Sequence, residues 1–168
     1  MPLLKNGTVV EDRFVAVTDD DPLPDGVDVL VPLERWRTLH DALPPGRRYG
    51  VRLKSHQLVG EIAPDLGTLA LVALELPKFR DGRAFSGARE LRERYHWQGE
   101  IRAVGHIIPD QYLMLTRVGV DTVEVPAERL TDAWRRALGE FSIAYQAAQD
   151  DAPTLSLLRR HLRAGEPS

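Results

Sequence analysis

The chain has 168 residues, 43% hydrophobic and 28% charged, with a net charge of −3, the composition of one globular domain large enough to bury a core. It has no cysteine, which excludes disulfides, thiolate catalysis, cysteine-ligated zinc and self-ligated iron–sulfur clusters. Charges of both signs are interspersed without a basic stripe for nucleic acid, no apolar run is long enough to span a bilayer, and the polar start MPLLKNGTVVEDR is not a signal peptide, so the expected location is the cytoplasm.

Residues 1–18 read as an N-terminal hairpin around Asn6-Gly7, a pair that tolerates positive φ. Asp19 to Gly26 is a turn-rich linker. Val27–Pro32 is the first long strand, and Leu33, Trp36, Leu39 and Leu43 recur at helical spacing behind it until Pro44-Pro45-Gly46. Tyr49–Leu53 is the second strand. Leu58–Leu69 is a short or broken helix, since it contains Pro64 and two glycines.

Leu69–Leu76 is apolar nearly throughout, as expected for a strand covered on both faces. Ser86–Tyr95 is a helix whose charges Arg89, Glu90, Arg92, Glu93 and Arg94 read as a solvated face. Ile101–Val104 is the fourth strand, Pro109–Val118 a helix with Gly119 as its C′ residue, and Asp121–Val125 the fifth strand. Pro126 opens a helix reaching Gly139, and Phe141–Tyr145 is a last short strand. Trp36, Trp97 and Trp134 read as packing residues.

Strand and helix alternate about five times, which predicts right-handed βαβ crossovers and a mainly parallel α/β sheet. Residues 1–146 form one domain, and 147–168 a polar tail. An open three-layer sandwich is expected in preference to a partial (half) barrel; a partial barrel would pair into a homodimer to cover its flank.

In parallel α/β folds ligands bind at the carboxyl ends of the strands. Those ends carry Glu34, Arg35, Arg52, Lys54, Glu75, Lys78, Arg80, Asp81, Arg83, His106, Asp110, Glu124 and Glu128. Lys54, Lys78, Arg80 and Arg83 suit an anion, and Ser86 reads as the cap of the helix after the turn. The competing account is a solvated turn with an ordinary cap. Asp81 and His106 are the acid–base candidates, with Asp110 placed to orient His106; the competing account is a loop histidine, because no nucleophile is near. The five histidines lack metal-ligand spacing, and no nucleotide or nucleophile-elbow motif is present. No metal or cofactor is evident.

The segment LPKFRDGRAFSGARELRERYHWQGEIRAVG, followed by DQYLMLTRVGVDTVEV and FSIAYQ, resembles the DUF934 family of proteobacteria. LLKNG and VLVPLERW extend the likeness over most of residues 3–146. The specific pieces are Asp81–Arg92 (DGRA, then S, AR and LR) and Arg102–Gly105 (RAVG). An acidic residue commonly follows that glycine in the family; here it is His106, which weakens a catalytic role there. The family has no established activity, and its members are often encoded beside sulfite reductase and other sulfate-assimilation genes. The resemblance thus implies a non-catalytic accessory protein of assimilatory sulfite reduction that binds the reductase or its electron donor. The residues themselves leave a second expectation open: a small α/β enzyme or binding module for a phosphate, a carboxylate or a sulfur oxyanion.

Overall fold

A computed structural model describes residues 1–41, 43–78 and 81–139. The expected strand Phe141–Tyr145 and the tail 147–168 lie outside the described residues.

β1 (Leu3–Lys5) and β2 (Thr8–Val10) form an antiparallel hairpin. Asn6 and Gly7 both take positive φ, 50° and 75°, the conformation of a two-residue turn whose twist matches its strands. The hairpin ends at Val10, well short of Thr18. The charged run Glu11-Asp12-Arg13 breaks the alternation, and β3 (Phe14–Ala16) pairs in parallel with β4 (Asp28–Pro32) instead.

The other strands are β5 (Tyr49–Leu53), β6 (Leu69–Leu76), β7 (Glu100–Gly105) and β8 (Thr122–Glu124). They form one eight-stranded sheet among the described residues, in the order β2-β1-β8-β7-β6-β5-β4-β3. β3 to β8 are parallel neighbours in sequence order, and β1 joins β8 antiparallel.

This order overturns the open three-layer sandwich. Right-handed crossovers that always advance in one direction place every helix on the same face; helices on both faces need a reversal of strand order. The apolar residues partition accordingly. One cluster joins sheet residues such as Val31, Val51, Leu74, Ile101 and Val123 to helix residues Trp36, Ala88, Leu91, Tyr112 and Trp134. The other contains Phe14, Leu30, Leu71, Ala73 and Val104 and no helix residue.

The connection lengths then force the sheet to curl. β2 and β3 are its two edges, yet the four Cα steps from Val10 to Phe14 reach at most about 14 Å. Seven strand spacings in a flat sheet span about 34 Å. The sheet therefore rolls into a partial barrel, with helices outside and the second cluster within. β6 is covered on both faces, as its continuous apolar run implies: Leu71 and Ala73 point inward, Val72 and Leu74 outward.

The inner face is not wholly apolar. Arg102 on β7 is 1% exposed and donates to both Asp12 oxygens (2.7 and 2.9 Å) and to Glu100 (3.1 Å), with Glu124 at 3.6 Å. The Phe14 ring lies under Arg102 and Arg48. A cavity of about 330 Å³ opens here, lined by Lys5, Arg13, Arg48 and Thr122 among others.

On the outer side α1 (Leu33–Leu39) stops before the expected Leu43, and Val59–Asp65 is a 3-10 segment rather than an α-helix, as Pro64 suggested. α2 (Arg83–Arg89) continues through a π-turn, Glu90–Arg94. α3 (Pro109–Arg117) ends in a Schellman motif: Gly119 N–H donates to Thr116 O and Val120 N–H to Leu115 O. Gly119 has φ +98°, as a C′ residue should. The helix expected from Pro126 is broken into a 3-10 turn, Ala127–Arg129, and α4 (Ala133–Gly139), because Leu130 is extended. The three tryptophans are buried, and each indole N–H is satisfied, by Asp65, Leu66 O and Arg129 O.

Arg92 corrects the reading of its helix face. Its guanidinium is buried and donates to Trp97 O, Gly99 O, Gly119 O and Asp121. It ties the middle of the π-turn to the segments that lead into β7 and β8. Arg89–Glu93 and Arg94–Glu90 are the solvated pairs the spacing implied.

Candidate functional site

β5 and β6 deliver the site at their carboxyl ends. After Leu53 the chain turns: Gln57 N–H donates to Lys54 O, and the Gln57 side chain accepts from Lys54 N–H (2.7 Å). The Gln57 amide also donates to Glu34 of α1 (2.7 Å), and Leu58 N–H donates to Glu61 (2.7 Å). The turn is thus fastened at both ends, and Lys54 projects from it to solvent, without an ion pair among the described residues.

The opposite wall is α2. It begins at Arg83, with Gly82 as its cap, so Ser86 stands inside the helix and is not the N-cap. Gly82 has φ −83° and open space where a Cβ would stand, so the turn does not depend on glycine there. Asp81 organises it instead, accepting from Arg83 N–H (3.1 Å) while its own N–H donates to Lys78 O (3.0 Å). The Arg83 guanidinium is only loosely paired with Asp81, at 3.8 Å. Ala84 and Ala88 pack inward, and a Cβ on Gly87 would lie 3.3 Å from Val59. Small residues on this face let the helix approach β6.

Between turn and helix runs a groove of about 310 Å³. Lys54, Arg83 and Ser86 line it together, as do His56, Glu75 and Glu90. Its two carboxylates are engaged elsewhere, Glu75 with Arg52 (3.5 Å) and Glu90 with Arg94 (2.8 Å). A second, open depression of about 580 Å³ shares Arg83 and Ser86 and adds Lys78, Asp81 and Gly82. The predicted residues are therefore gathered, apart from two. Arg80 lies outside the described residues. His106 lines neither depression; it follows Gly105, which has φ +104° and whose Cβ would stand 2.5 Å from Leu76 O.

The His106–Asp110 pairing does not form. Both residues are exposed, and the His106 ring makes no hydrogen bond among the described residues. Two groove residues escaped the sequence reading. His56 follows the carboxyl end of β5 by a few residues and falls under the rule that selected Lys54. Glu90 was assigned to a solvated face. Among the described residues no three His, Cys, Asp or Glu side chains are placed to hold a metal, and no helix is long and apolar enough to cross a membrane.

No curated protein matches the chain. A family model described as a bacterial protein of unknown function, DUF934, matches residues 50–155. That span takes in both walls of the groove, the Asp81–Arg92 and Arg102–Gly105 pieces, β6 to β8 and all of β5 but Tyr49. The chain therefore belongs to the DUF934 family.

Proposed function

We propose that the chain is a binding module for a small anion, held in the groove between the Lys54–Val59 turn and α2. One observation carries this reading. Lys54 and Arg83 come from separate elements and line one groove without a close acid partner, while Glu75 and Glu90 beside them are held by Arg52 and Arg94. A cation pair of this kind recruits a carboxylate, phosphate or sulfur oxyanion. The sulfate-assimilation setting implied by the resemblance makes sulfite and sulfate the first ligands to try. Calorimetry with sulfite, sulfate and phosphate tests the proposal. Binding that falls at least tenfold in Lys54→Ala and in Arg83→Ala supports it, and a flat response to all three and to organic carboxylates, sulfonates and phosphate esters alike removes it.

A second reading is docking onto sulfite reductase or its electron donor as a non-catalytic accessory. Leu58 favours it: this side chain is 69% exposed on the groove rim, beside Lys54 and His56. An apolar anchor ringed by charge is a common centre of a protein interface. Co-elution with the reductase, lost in Leu58→Ser, is the expected outcome; no co-elution at micromolar concentrations ends this reading.

A further inference from the structure

We infer that the ligand of this groove is an amphipathic organic anion, with an apolar body inside and its charged group at the rim, rather than an inorganic oxyanion. The inference rests on the anion-binding reading above and names the ligand class for it.

The groove is divided by depth. The charged and polar side chains Lys54, His56, Arg83 and Ser86 are exposed and form the rim. Beneath them lie Leu53, Val59, Leu74 and Ala84, exposed by only 1%, 3%, 4% and 5%. Their side chains offer hydrocarbon and no hydrogen-bond donor or acceptor. A tetrahedral oxyanion has no use for such a floor, because all its oxygens need donors. It would stay at the rim and leave the floor covered by water.

Size leads to the same ligand. A space of about 310 Å³ holds roughly ten waters, more than one oxyanion displaces, and it falls at the small end of organic-ligand pockets. Releasing water from an apolar floor is favourable in proportion to the area covered. An anion with a short alkyl or aryl body gains that term as well as the charge contacts at Lys54 and Arg83.

The fastening of the wall suits a preformed site. Gln57 ties the turn to α1 through Glu34, and Gly87 brings α2 to within contact of Val59 and Leu74 on the other side. The groove needs no rearrangement to accept a flat or linear body. Of its charged residues, Glu75 and Glu90 are held by Arg52 and Arg94 while Lys54 and Arg83 face solvent, so the head group is a sulfonate, carboxylate or phosphate ester.

The test is titration of the full chain with a matched series: inorganic sulfate, methanesulfonate, butanesulfonate, hexanesulfonate and benzenesulfonate, with hexanol as the uncharged control. Affinity is expected to rise by roughly three- to fourfold per added methylene, with hexanol much weaker than hexanesulfonate. Arg83→Gln should weaken the sulfonate series by about tenfold while preserving its slope with chain length. Sulfate binding as tightly as hexanesulfonate overturns the inference and leaves the anion-binding reading intact. Failure of every anion overturns both. Hexanol binding as tightly as hexanesulfonate also overturns the inference, since the head group then contributes nothing.

Discussion

Arg102 and Asp12, ninety residues apart, form a two-armed ion pair across the inside of the barrel, with Nη1–Oδ2 at 2.7 Å and Nη2–Oδ1 at 2.9 Å. Asp12 is the middle residue of the link between the two sheet edges, and Arg102 is on a central strand. The pair therefore fixes how the N-terminal segment crosses the inner face.

Replacing Arg102 by alanine removes the cation that joins Asp12, Glu100 and Glu124. Arg102 is buried but Asp12 faces solvent, so the loss falls toward the low end of the about 3–5 kcal/mol that breaking a buried ion pair costs. Urea unfolding should show a loss of that size for Arg102→Ala, and a smaller one for Asp12→Ala, because Glu100 still holds the guanidinium. A change under about 1 kcal/mol in Arg102→Ala would show that the network is not structurally engaged.

Arg92→Lys should be destabilising even though charge is kept. A single ammonium cannot reach Trp97 O, Gly99 O, Gly119 O and Asp121 from one position. A loss of about 2 kcal/mol is expected, together with altered Trp97 fluorescence. An unchanged denaturation midpoint would refute the clamp.

Two glycines should respond in opposite directions. Gly105→Ala forces a Cβ to 2.5 Å from Leu76 O at φ +104° and should cost about 2 kcal/mol or more. Gly82→Ala meets nothing within 4 Å at φ −83° and should be neutral, or stabilising by about 0.4–1 kcal/mol through the unfolded chain. Thermal melts of the two variants decide this, and equal effects would contradict it.

Asp28 gives the fold a pH-dependent contribution. Partial burial raises its pKa, but the Arg48 amide and guanidinium outweigh that and hold it below 3.8. A depressed carboxylate stabilises the fold above its unfolded value, and that contribution disappears as pH falls through the folded one. The stability gap between the parent and Asp28→Asn should be full near neutrality and close as the solution is acidified below the ordinary carboxylate range. A gap independent of pH would rule out the ionised pair as its source.

The legible parts of the fold were those encoded locally. Tyr49–Leu53 and Leu69–Leu76 match β5 and β6 to the residue: Leu69–Leu76 is the nearly continuous apolar run of a buried parallel strand, and Tyr49–Leu53 puts apolar residues at alternate positions 49, 51 and 53. Asn6-Gly7 and Gly119 announced their positive φ. β3 was not legible: Phe14-Val15-Ala16 lies within the stretch read as the N-terminal hairpin, and only its pairing with β4 reveals its place. The curl was hidden for a related reason, since it follows from which strands a three-residue link joins. In the groove, the strand-end rule selected Lys54 and Arg83. Ser86 was misread as the helix cap because α2 starts without a side-chain cap, and outside the groove Arg92 was misread as solvated because a clamp and a solvated arginine share the same spacing.

The link Glu11–Arg13 has one more consequence. Among the described residues the two sheet edges share no strand pairing, and they are held near each other by covalent chain, with Asp12 as the knot. The bore of the hoop is thus set by loop length. Lengthening this link would let the hoop relax and its inner cavity widen without a change in any strand, which makes three residues the gauge of the whole interior.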